Sequence, residues 1–147
     1  NSKGQFNAPF GRYSNPRILD ASNILAVSDF LKACDIEISC GDFSSSFELT
    51  KPGDFAYCDP PYIPLSETAN FTAYSKDGFS MDEQIRLRDE LRLLDEKGVK
   101  FMLSNSDTPT TRSLYSGFRI EVVKVGRAIN SNGAKRGAVD EVLIRNY

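Results

Sequence analysis

The stretch Phe55-Ala56-Tyr57-Cys58-Asp59-Pro60-Pro61-Tyr62 decides the fold of this 147-residue chain. Its first part, up to the cysteine, is apolar and aromatic and predicts a strand. An acidic residue, two prolines and an aromatic ring follow directly at the strand's end. Prolines fix the backbone and lack an amide donor, so the carbonyls around Asp59 and Pro60 are rigid hydrogen-bond acceptors. The stretch therefore predicts a polar site at the carboxyl end of a strand.

These acceptors suit a planar aromatic amine. The Asp59 carboxylate and the Pro60 carbonyl can each accept one hydrogen of an amino group, while the Tyr62 ring stacks on the base. Because an attacking nitrogen gains positive charge, fixed acceptors stabilise the transition state most. In this interpretation Asp59, Pro60 and Tyr62 are catalytic and no metal ion takes part. The alternative is a strand that ends in an ordinary Pro-Pro turn, with Tyr62 as a packing residue.

Composition indicates one globular domain. The chain is 40% hydrophobic and 26% charged, which allows a substantial core. The cysteines Cys34, Cys40 and Cys58 lack the paired spacing of a zinc site, so we expect buried free thiols. The chain has no histidine, which excludes Ser-His and Cys-His catalysis within it. It shows neither a membrane-length apolar run nor a secretory signal, so we expect a cytoplasmic protein.

Charge is segregated along the sequence. The net charge is −2, yet basic residues gather towards both ends while acidic residues dominate between them. The basic residues are Lys3, Arg12, Arg17, Arg112, Arg119, Lys124, Arg127, Lys135 and Arg136. If the two basic segments meet in space, they form one phosphate-binding face. The alternative is a scattered, solvated surface.

Helices alternate with apolar strands, which predicts an α/β fold with a mostly parallel sheet. We predict helices after Asp20 and after Ser80, and a short helix over residues 108–115. Strands are predicted over residues 36–40, 55–58, 99–104, 120–125 and 139–144. Residues 63–78 show no firm period and predict a long functional loop. Because ligands bind at the carboxyl ends of parallel strands, we expect Asp42, Asp59 and Asn105 to form one polar site.

A series of longer motifs runs through the whole chain in a fixed order. They are Lys3 to Tyr13, Asp59-Pro60-Pro61-Tyr62, Pro64-Leu65-Ser66, Thr68 to Tyr74, Ser104-Asn105, Asp107-Thr108, Thr111-Arg112, Leu114-Tyr115, Ser131-Asn132-Gly133 with Arg136, and Val139-Asp140-Glu141. In this order they resemble the Dam-type DNA adenine methyltransferases, which act at GATC sites. Several long motifs in sequence are far more specific than the tetrapeptide alone.

The resemblance implies a Rossmann-like methyltransferase that moves a methyl group from S-adenosylmethionine to the exocyclic nitrogen of a flipped-out adenine in double-stranded DNA. By this resemblance Asp59 and Pro60 hold the amino group and Tyr62 stacks on the adenine. Cofactor binding is implied for Asp42, Phe43 and Asp59. DNA contacts are implied for Asn1, Pro9, Arg12, Asn70, Arg127, Asn132 and Arg136.

The resemblance covers only the C-terminal portion of the family's pattern. The family's Lys-containing cofactor segment, its Phe-x-Gly-x-Gly turn and most of its DNA-recognition domain do not occur here. Residues 1–17 then correspond to the end of the target-recognition region and residues 18–147 to the C-terminal part of the catalytic domain. Without the first two strands the sheet is incomplete, so we expect little activity alone and a complementary N-terminal segment, or self-association, as a partner. The chain also carries Ser106 where family members commonly have His, and a less basic run at residues 125–128.

Two other functions stay open. One is a non-catalytic DNA-binding remnant that keeps the basic segments and has lost the cofactor site. The other is methylation of a different planar amine, such as an RNA adenine, a cytosine or a glutamine side chain. Related enzymes with Asn or Ser before the Pro-Pro often take those substrates, so Asp59 argues against this second function.

Overall fold

The computed structural model describes residues 18–65, 79–126 and 138–147. The chain divides into two compact units, Asn1–Cys40 and Gly41–Tyr147. The predicted active-site stretch lies entirely within the second unit.

The described part of the first unit contains one helix, α1 (Ala21–Ala33). Asp20 caps it, as predicted, because its carboxylate accepts a hydrogen bond from the Asn23 backbone amide at 3.3 Å. The helix has no buried residue, and Leu25 and Phe30 are 63% and 61% exposed. Its apolar side is therefore open to solvent in the described structure.

The predicted strand over residues 36–40 is wrong. These residues are neither strand nor helix, and Ile38 is 78% exposed. A strand needs a neighbour to complete its ladder of hydrogen bonds, and none of the described strands pairs with this segment. The prediction of buried thiols is also wrong for Cys34 and Cys40, which are exposed; Cys58 is buried.

The second unit is built on a four-stranded sheet. In chain order the strands are β1 (Phe55–Cys58), β2 (Lys100–Ser106), β3 (Arg119–Gly126) and β4 (Ala138–Arg145), and their order in the sheet is β1-β2-β4-β3. β1 and β2 are parallel, whereas β4 runs antiparallel to both β2 and β3. The sheet is therefore mixed rather than mostly parallel, because β3 and β4 follow one another directly and reverse the chain.

In the described part of the second unit three helices accompany the sheet: α2 (Phe43–Glu48), α3 (Met81–Glu96) and α4 (Pro109–Leu114). α3 links the parallel strands β1 and β2, as a crossover helix does. The predicted cap is confirmed, since the Ser80 hydroxyl accepts from the Glu83 amide at 3.3 Å. α3 ends at Glu96, and Gly98 follows it with a φ of 80°, a conformation that favours glycine. Along its buried side lie Gln84, Leu87, Leu91 and Leu94.

The core of the second unit lies between α3 and the sheet. Phe101 and Leu103 of β2 are fully buried, and the Phe101 ring meets Phe118 edge-on at 4.9 Å between ring centroids. Asn146 ties down the sheet beside them: its Oδ1 accepts from the Phe101 amide, and its Nδ2 donates to the Val99 carbonyl, both at 2.9 Å. This packing makes β2 a rigid base for the residues at its carboxyl end.

β1 forms one edge of the described sheet. Its residues Phe55 and Tyr57 are 55% and 59% exposed, which is unusual for large rings beside a core. Because side chains alternate across a strand, Phe55 and Tyr57 lie on the sheet face opposite Cys58, while the outer edge of β1 presents backbone groups that no described strand pairs. No helix in the described ranges is long and apolar enough to cross a membrane.

Candidate active site

Asp59 lies at the carboxyl end of β1, beside the neighbouring strand β2. The parallel register pairs Cys58 with Leu103, so the next residue along β2, Ser104, comes alongside Asp59. The Ser104 hydroxyl lies 2.8 Å from Asp59 Oδ1 and donates to it. Ser104 is 4% exposed, whereas Asp59 is exposed to solvent. The buried Ser104 hydroxyl thus holds the solvent-exposed Asp59 carboxylate at the end of β1.

The Pro-Pro segment is fixed by two buried amide side chains. Gln84 of α3 donates through Nε2 to the Pro61 carbonyl at 2.7 Å. Asn105 of β2 accepts through Oδ1 from the Ile63 amide at 2.9 Å, and its Nδ2 lies 3.4 Å from Gln84 Oε1. Helix and strand therefore hold this segment together. No described residue donates to the Pro60 carbonyl, which is left as an acceptor.

The expected grouping of Asn105 with Asp42 and Asp59 is wrong. Asn105 does not follow its strand: pairing of Asn105 with Val142 and of Ser106 with Glu141 extends β2 beyond it. It is fully buried, and its side chain is used by Ile63 and Gln84. Asn105 therefore acts on the site indirectly, through its hydrogen bonds to Ile63 and Gln84.

Asp42 does not follow a strand either, but caps α2, a helix that the sequence analysis missed. Its Oδ1 accepts from the Ser44 amide at 3.0 Å and from the Ser44 hydroxyl at 2.5 Å. The sequence signal was available, since Asp before Phe43-Ser44 is a favourable N-cap. The cap places Asp42 and Phe43 at one end of α2.

Arg86 of α3 holds Asp42 in a bidentate ion pair, which sequence reasoning did not find. Its Nη1 and Nη2 donate to Asp42 Oδ1 and Oδ2 at 2.8 and 2.7 Å. Its guanidinium carbon lies 4.0 Å from the centre of the Phe43 ring. The hydrogen bonds from Arg86, with those from Ser44, hold the pKa of Asp42 far below its usual value. Arg86 thus orients both predicted cofactor residues.

A cavity of about 500 Å³ joins these parts. Asp42 and Phe43 line it together with Asp59 and Pro60. Its aromatic wall includes Phe79, whose ring centroid is 6.2 Å from that of Phe43. The predicted cofactor residues and two of the predicted catalytic residues therefore share one cavity with an aromatic wall and carboxylates at separate points.

Tyr62 is not among the residues that line this cavity. Its hydroxyl donates to Glu141 Oε2 of β4 at 3.4 Å. Burial raises the pKa of Tyr62 to about 12, and the charges of Glu141 and Asp59 act in the same direction. Burial also raises the pKa of the Cys58 thiol to about 11. Both groups are neutral at neutral pH, so Cys58 is not poised as a nucleophile.

The predicted DNA contacts cannot be placed. Asn1, Pro9, Arg12, Asn70, Arg127, Asn132 and Arg136 all lie outside the described residues, as does most of the predicted loop over residues 63–78. Among the described basic residues, Arg112 forms an ion pair with Asp107, with Nε 2.6 Å from Oδ1. The predicted phosphate-binding face stays a prediction.

Comparison with known proteins gives a family match over most of the chain. Residues 1–129 match the family described as D12 class N6 adenine-specific DNA methyltransferase. The chain is 46% identical over 147 residues to the type II methyltransferase M1.LlaDCHI of Lactococcus lactis subsp. cremoris, a match over 100% of this chain and 52% of the relative. It is 47% identical over 149 residues to the type II methyltransferase M.MjaIII of Methanocaldococcus jannaschii, covering 100% of this chain and 51% of the relative.

A third relative is the DNA adenine methylase of Escherichia coli, 40% identical over 143 residues, which are 97% of this chain and 50% of that protein. The chain thus spans about half the length of the curated relatives it matches. A solved structure titled precorrin 8w decarboxylase overlaps with a TM-score of 0.40 at 15% identity, over 87% of this chain and 66% of that one. That overlap is too slight to bear on fold or function.

Proposed function

The chain belongs to the D12 class of N6 adenine-specific DNA methyltransferases, and from this membership we propose that it is the C-terminal part of an enzyme that methylates adenine in double-stranded DNA at GATC. The methyl donor of the proposed reaction is S-adenosylmethionine. The observation that carries the proposal is the Asp59 carboxylate, held by Ser104 at the edge of a cavity that also contains Asp42 and Phe43.

The residues of the cavity fit S-adenosylmethionine. Its adenine is a flat ring with an amino donor. Phe43 offers a ring face, and Asp42 Oδ2, which accepts from Arg86 Nη2, keeps a second lone pair for that donor. The volume of about 500 Å³ lies in the usual range for small-molecule sites. When bound, the cofactor supplies a methyl group on a positively charged sulfur. The Asp59 carboxylate in the same cavity complements that charge.

The acceptor amine is held by the segment after β1. Asp59 and the Pro60 carbonyl accept one amine hydrogen each, so that the nitrogen lone pair is directed to the incoming methyl group. Both acceptors are fixed before the reaction and stabilise the positive charge that develops on the nitrogen. Tyr62 stacks on the extruded base. The DNA contacts proposed for Asn1, Pro9, Arg12, Asn70, Arg127, Asn132 and Arg136 rest on the family resemblance.

We further propose that the whole enzyme needs a complementary segment. The chain spans about half of its relatives. The open edge of β1, with Phe55 and Tyr57 exposed, is where additional strands would pair. In this division residues 1–17 end the target-recognition region and residues 18–147 complete the catalytic domain. Such a segment would also close the cavity and strengthen its electrostatic interactions.

The name of one relative, DNA adenine methylase, favours DNA methylation over the alternatives. A DNA-binding remnant would have no need of a carboxylate held at the strand end beside a ligand-sized cavity. DNA adenine is therefore preferred to RNA adenine, cytosine or glutamine as the acceptor.

The test is transfer of labelled methyl from S-adenosylmethionine to a GATC duplex. The chain is assayed alone and mixed with the part of the Lactococcus relative that it does not span. We expect N6-methyladenine in the mixture and little in the isolated chain. A duplex without GATC tests the recognition site, and an Asp59→Ala chain in the mixture shows that the label depends on this site. Labelled cytosine, labelled RNA in place of DNA, or no labelled product would contradict the proposal.

A further inference from the structure

Ser104 of β2 and Asp59 at the end of β1 are joined by a hydrogen bond between their side chains. They are 45 residues apart in sequence, and the parallel register of β1 and β2 brings them together. The distance of 2.8 Å from Ser104 Oγ to Asp59 Oδ1 is that of a well-formed O–H···O hydrogen bond. An ionised carboxylate only accepts, so Ser104 is the donor.

A second hydroxyl sets the direction of the Ser104 proton. The Tyr57 hydroxyl of β1 lies 3.3 Å from Ser104 Oγ and donates to it. The single Ser104 hydrogen then has Asp59 Oδ1 at 2.8 Å and the Cys58 carbonyl at 3.5 Å within reach, and the neutral Tyr62 hydroxyl also lies beside it. The shorter contact to a charged group is the stronger one. The two consecutive hydrogen bonds, from Tyr57 to Ser104 and from Ser104 to Asp59, are therefore both directed towards the carboxylate.

The two side chains joined by this hydrogen bond differ in how freely they can rotate. Ser104 is 4% exposed in a strand paired on both sides, whereas Asp59 is exposed. An exposed carboxylate turns easily about its last side-chain bond, which has broad minima. Because Ser104 holds Oδ1, Oδ2 is the Asp59 oxygen that can accept a hydrogen bond from a ligand.

We propose that Ser104 is a positioning residue for the methyl-transfer reaction: its hydroxyl fixes the Asp59 carboxylate so that Oδ2 faces the substrate amine, and Tyr57 orients that hydroxyl. This inference rests on the proposed function, because it assigns the role of acceptor to Asp59. Loss of the Ser104 hydroxyl leaves both substrates bound but the carboxylate misoriented in the transition state.

The kinetic test uses the chain mixed with its complementary segment. Ser104→Ala is expected to lower kcat roughly 10- to 100-fold, the effect of losing one hydrogen bond to a charged group. KM for DNA and for S-adenosylmethionine should change less than about threefold, since Ser104 is buried and does not line the cavity. Ser104→Thr, which keeps the hydroxyl, should recover most of kcat, and Tyr57→Phe should cause a smaller loss than Ser104→Ala.

Ser106→Ala is the matched control, because Ser106 is also a buried serine of β2, 5% exposed, and has no hydrogen bond to Asp59. It should leave kcat within about twofold of the parent, because its hydroxyl does not hold the Asp59 carboxylate. If Ser104→Ala does not fold, Ser104→Thr and Tyr57→Phe test the inference instead. It then requires kcat near that of the parent for Ser104→Thr and a lower kcat for Tyr57→Phe. A kcat for Ser104→Ala close to that of the parent, or an equal loss in Ser106→Ala, would overturn the inference.

A structural readout separates this inference from the proposed function. Crystal structures of the parent chain and Ser104→Ala compare the orientation of the Asp59 carboxylate directly. A fixed carboxylate in the parent and a turned or disordered one in the variant would support the positioning role even if no methyl transfer were detected. An unchanged carboxylate in the variant would refute it, even in an active enzyme.

Discussion

Gln84 and Pro61 are joined by a hydrogen bond of 2.7 Å that ties the crossover helix α3 to the predicted catalytic segment. Gln84 is 2% exposed, and its Oε1 in turn meets Asn105 of β2. A polar side chain in this position costs stability unless it is satisfied. Its partners show that the buried amides serve to fix the segment that follows Asp59.

Removing this support should destabilise the fold. Asn105→Ala leaves the Ile63 amide and part of Gln84 without partners, which costs about 1–3 kcal/mol of unfolding free energy. Urea unfolding of the parent and variant measures the difference. Ser106→Ala is the control, as a neighbouring truncation on the same buried strand. Equal stability of Asn105→Ala and the parent would mean that the Asn105 contacts are not made in solution.

The Arg86 ion pair predicts a measurable change at Asp42. Arg86→Met removes the two hydrogen bonds that lower the pKa of Asp42, so this pKa should rise towards its usual value of 3.8. Carbon-detected NMR of the Asp42 carboxyl group follows the titration. Affinity for a cofactor analogue should also fall, because Asp42 and Phe43 lose their orientation.

Arg92→Met is the matched control for that prediction. Arg92 also lies on α3, and its Nη1 is 3.6 Å from Asp89 Oδ1, away from Asp42. It should change neither the Asp42 titration nor analogue binding. An Asp42 titration unaffected by Arg86→Met would show that the ion pair does not persist in solution.

Stability should fall in alkaline solution. The folded pKa of Cys58 is about 11 against an ordinary 9.0, and that of Tyr62 is about 12 against 10.0. Because both folded pKa values are raised, the unfolded chain loses these protons first, and stability present below pH 9 declines as the pH rises through 11 and 12. Thermal unfolding against pH measures this decline.

Cys58→Ala and Tyr62→Phe should each flatten the alkaline decline, since each removes one titrating group. Cys34→Ala is the control, because Cys34 is exposed. An alkaline profile identical in the parent and in both variants would contradict the burial of these two groups.

Base capture should depend on the Tyr62 ring rather than on its hydroxyl. Tyr62→Ala is expected to weaken binding of the extruded base by about 1–3 kcal/mol, the usual scale of base–aromatic stacking, whereas Tyr62→Phe keeps the ring. Fluorescence of 2-aminopurine at the target adenine, with the complemented enzyme, reports extrusion. If Tyr62→Ala extrudes the base as well as Tyr62→Phe does, Tyr62 does not stack on it.

Local patterns in the sequence predicted much of the fold. The aromatic run that became β1 and the Ser80 cap of α3 are short-range signals, and both are confirmed. Residues 36–40 alternate like a strand but form none, because alternation reports on faces and not on the presence of a neighbour. β2, by contrast, extends beyond its predicted end and includes Asn105, because β4 is the neighbouring strand that pairs with these residues.

The candidate site was predicted less completely than the fold. Asp59 and the Asp42-Phe43 pair were predicted as site residues; the structure brings all three to one cavity, and their roles stay a prediction. The residues that orient them were missed, because Arg86 is 44 residues from Asp42 and Ser104 is 45 from Asp59. Such pairs are set by strand register and helix placement, which no local pattern encodes.

The most direct test of the account is single-turnover methyl transfer by an Asp59→Ala chain mixed with its complementary segment, with DNA affinity measured in parallel. If Asp59 accepts the substrate amine, the rate falls by about 100-fold or more while DNA affinity is nearly unchanged. An Asp59→Ala enzyme that methylates GATC at the parent's rate would contradict the assignment of this carboxylate as the acceptor.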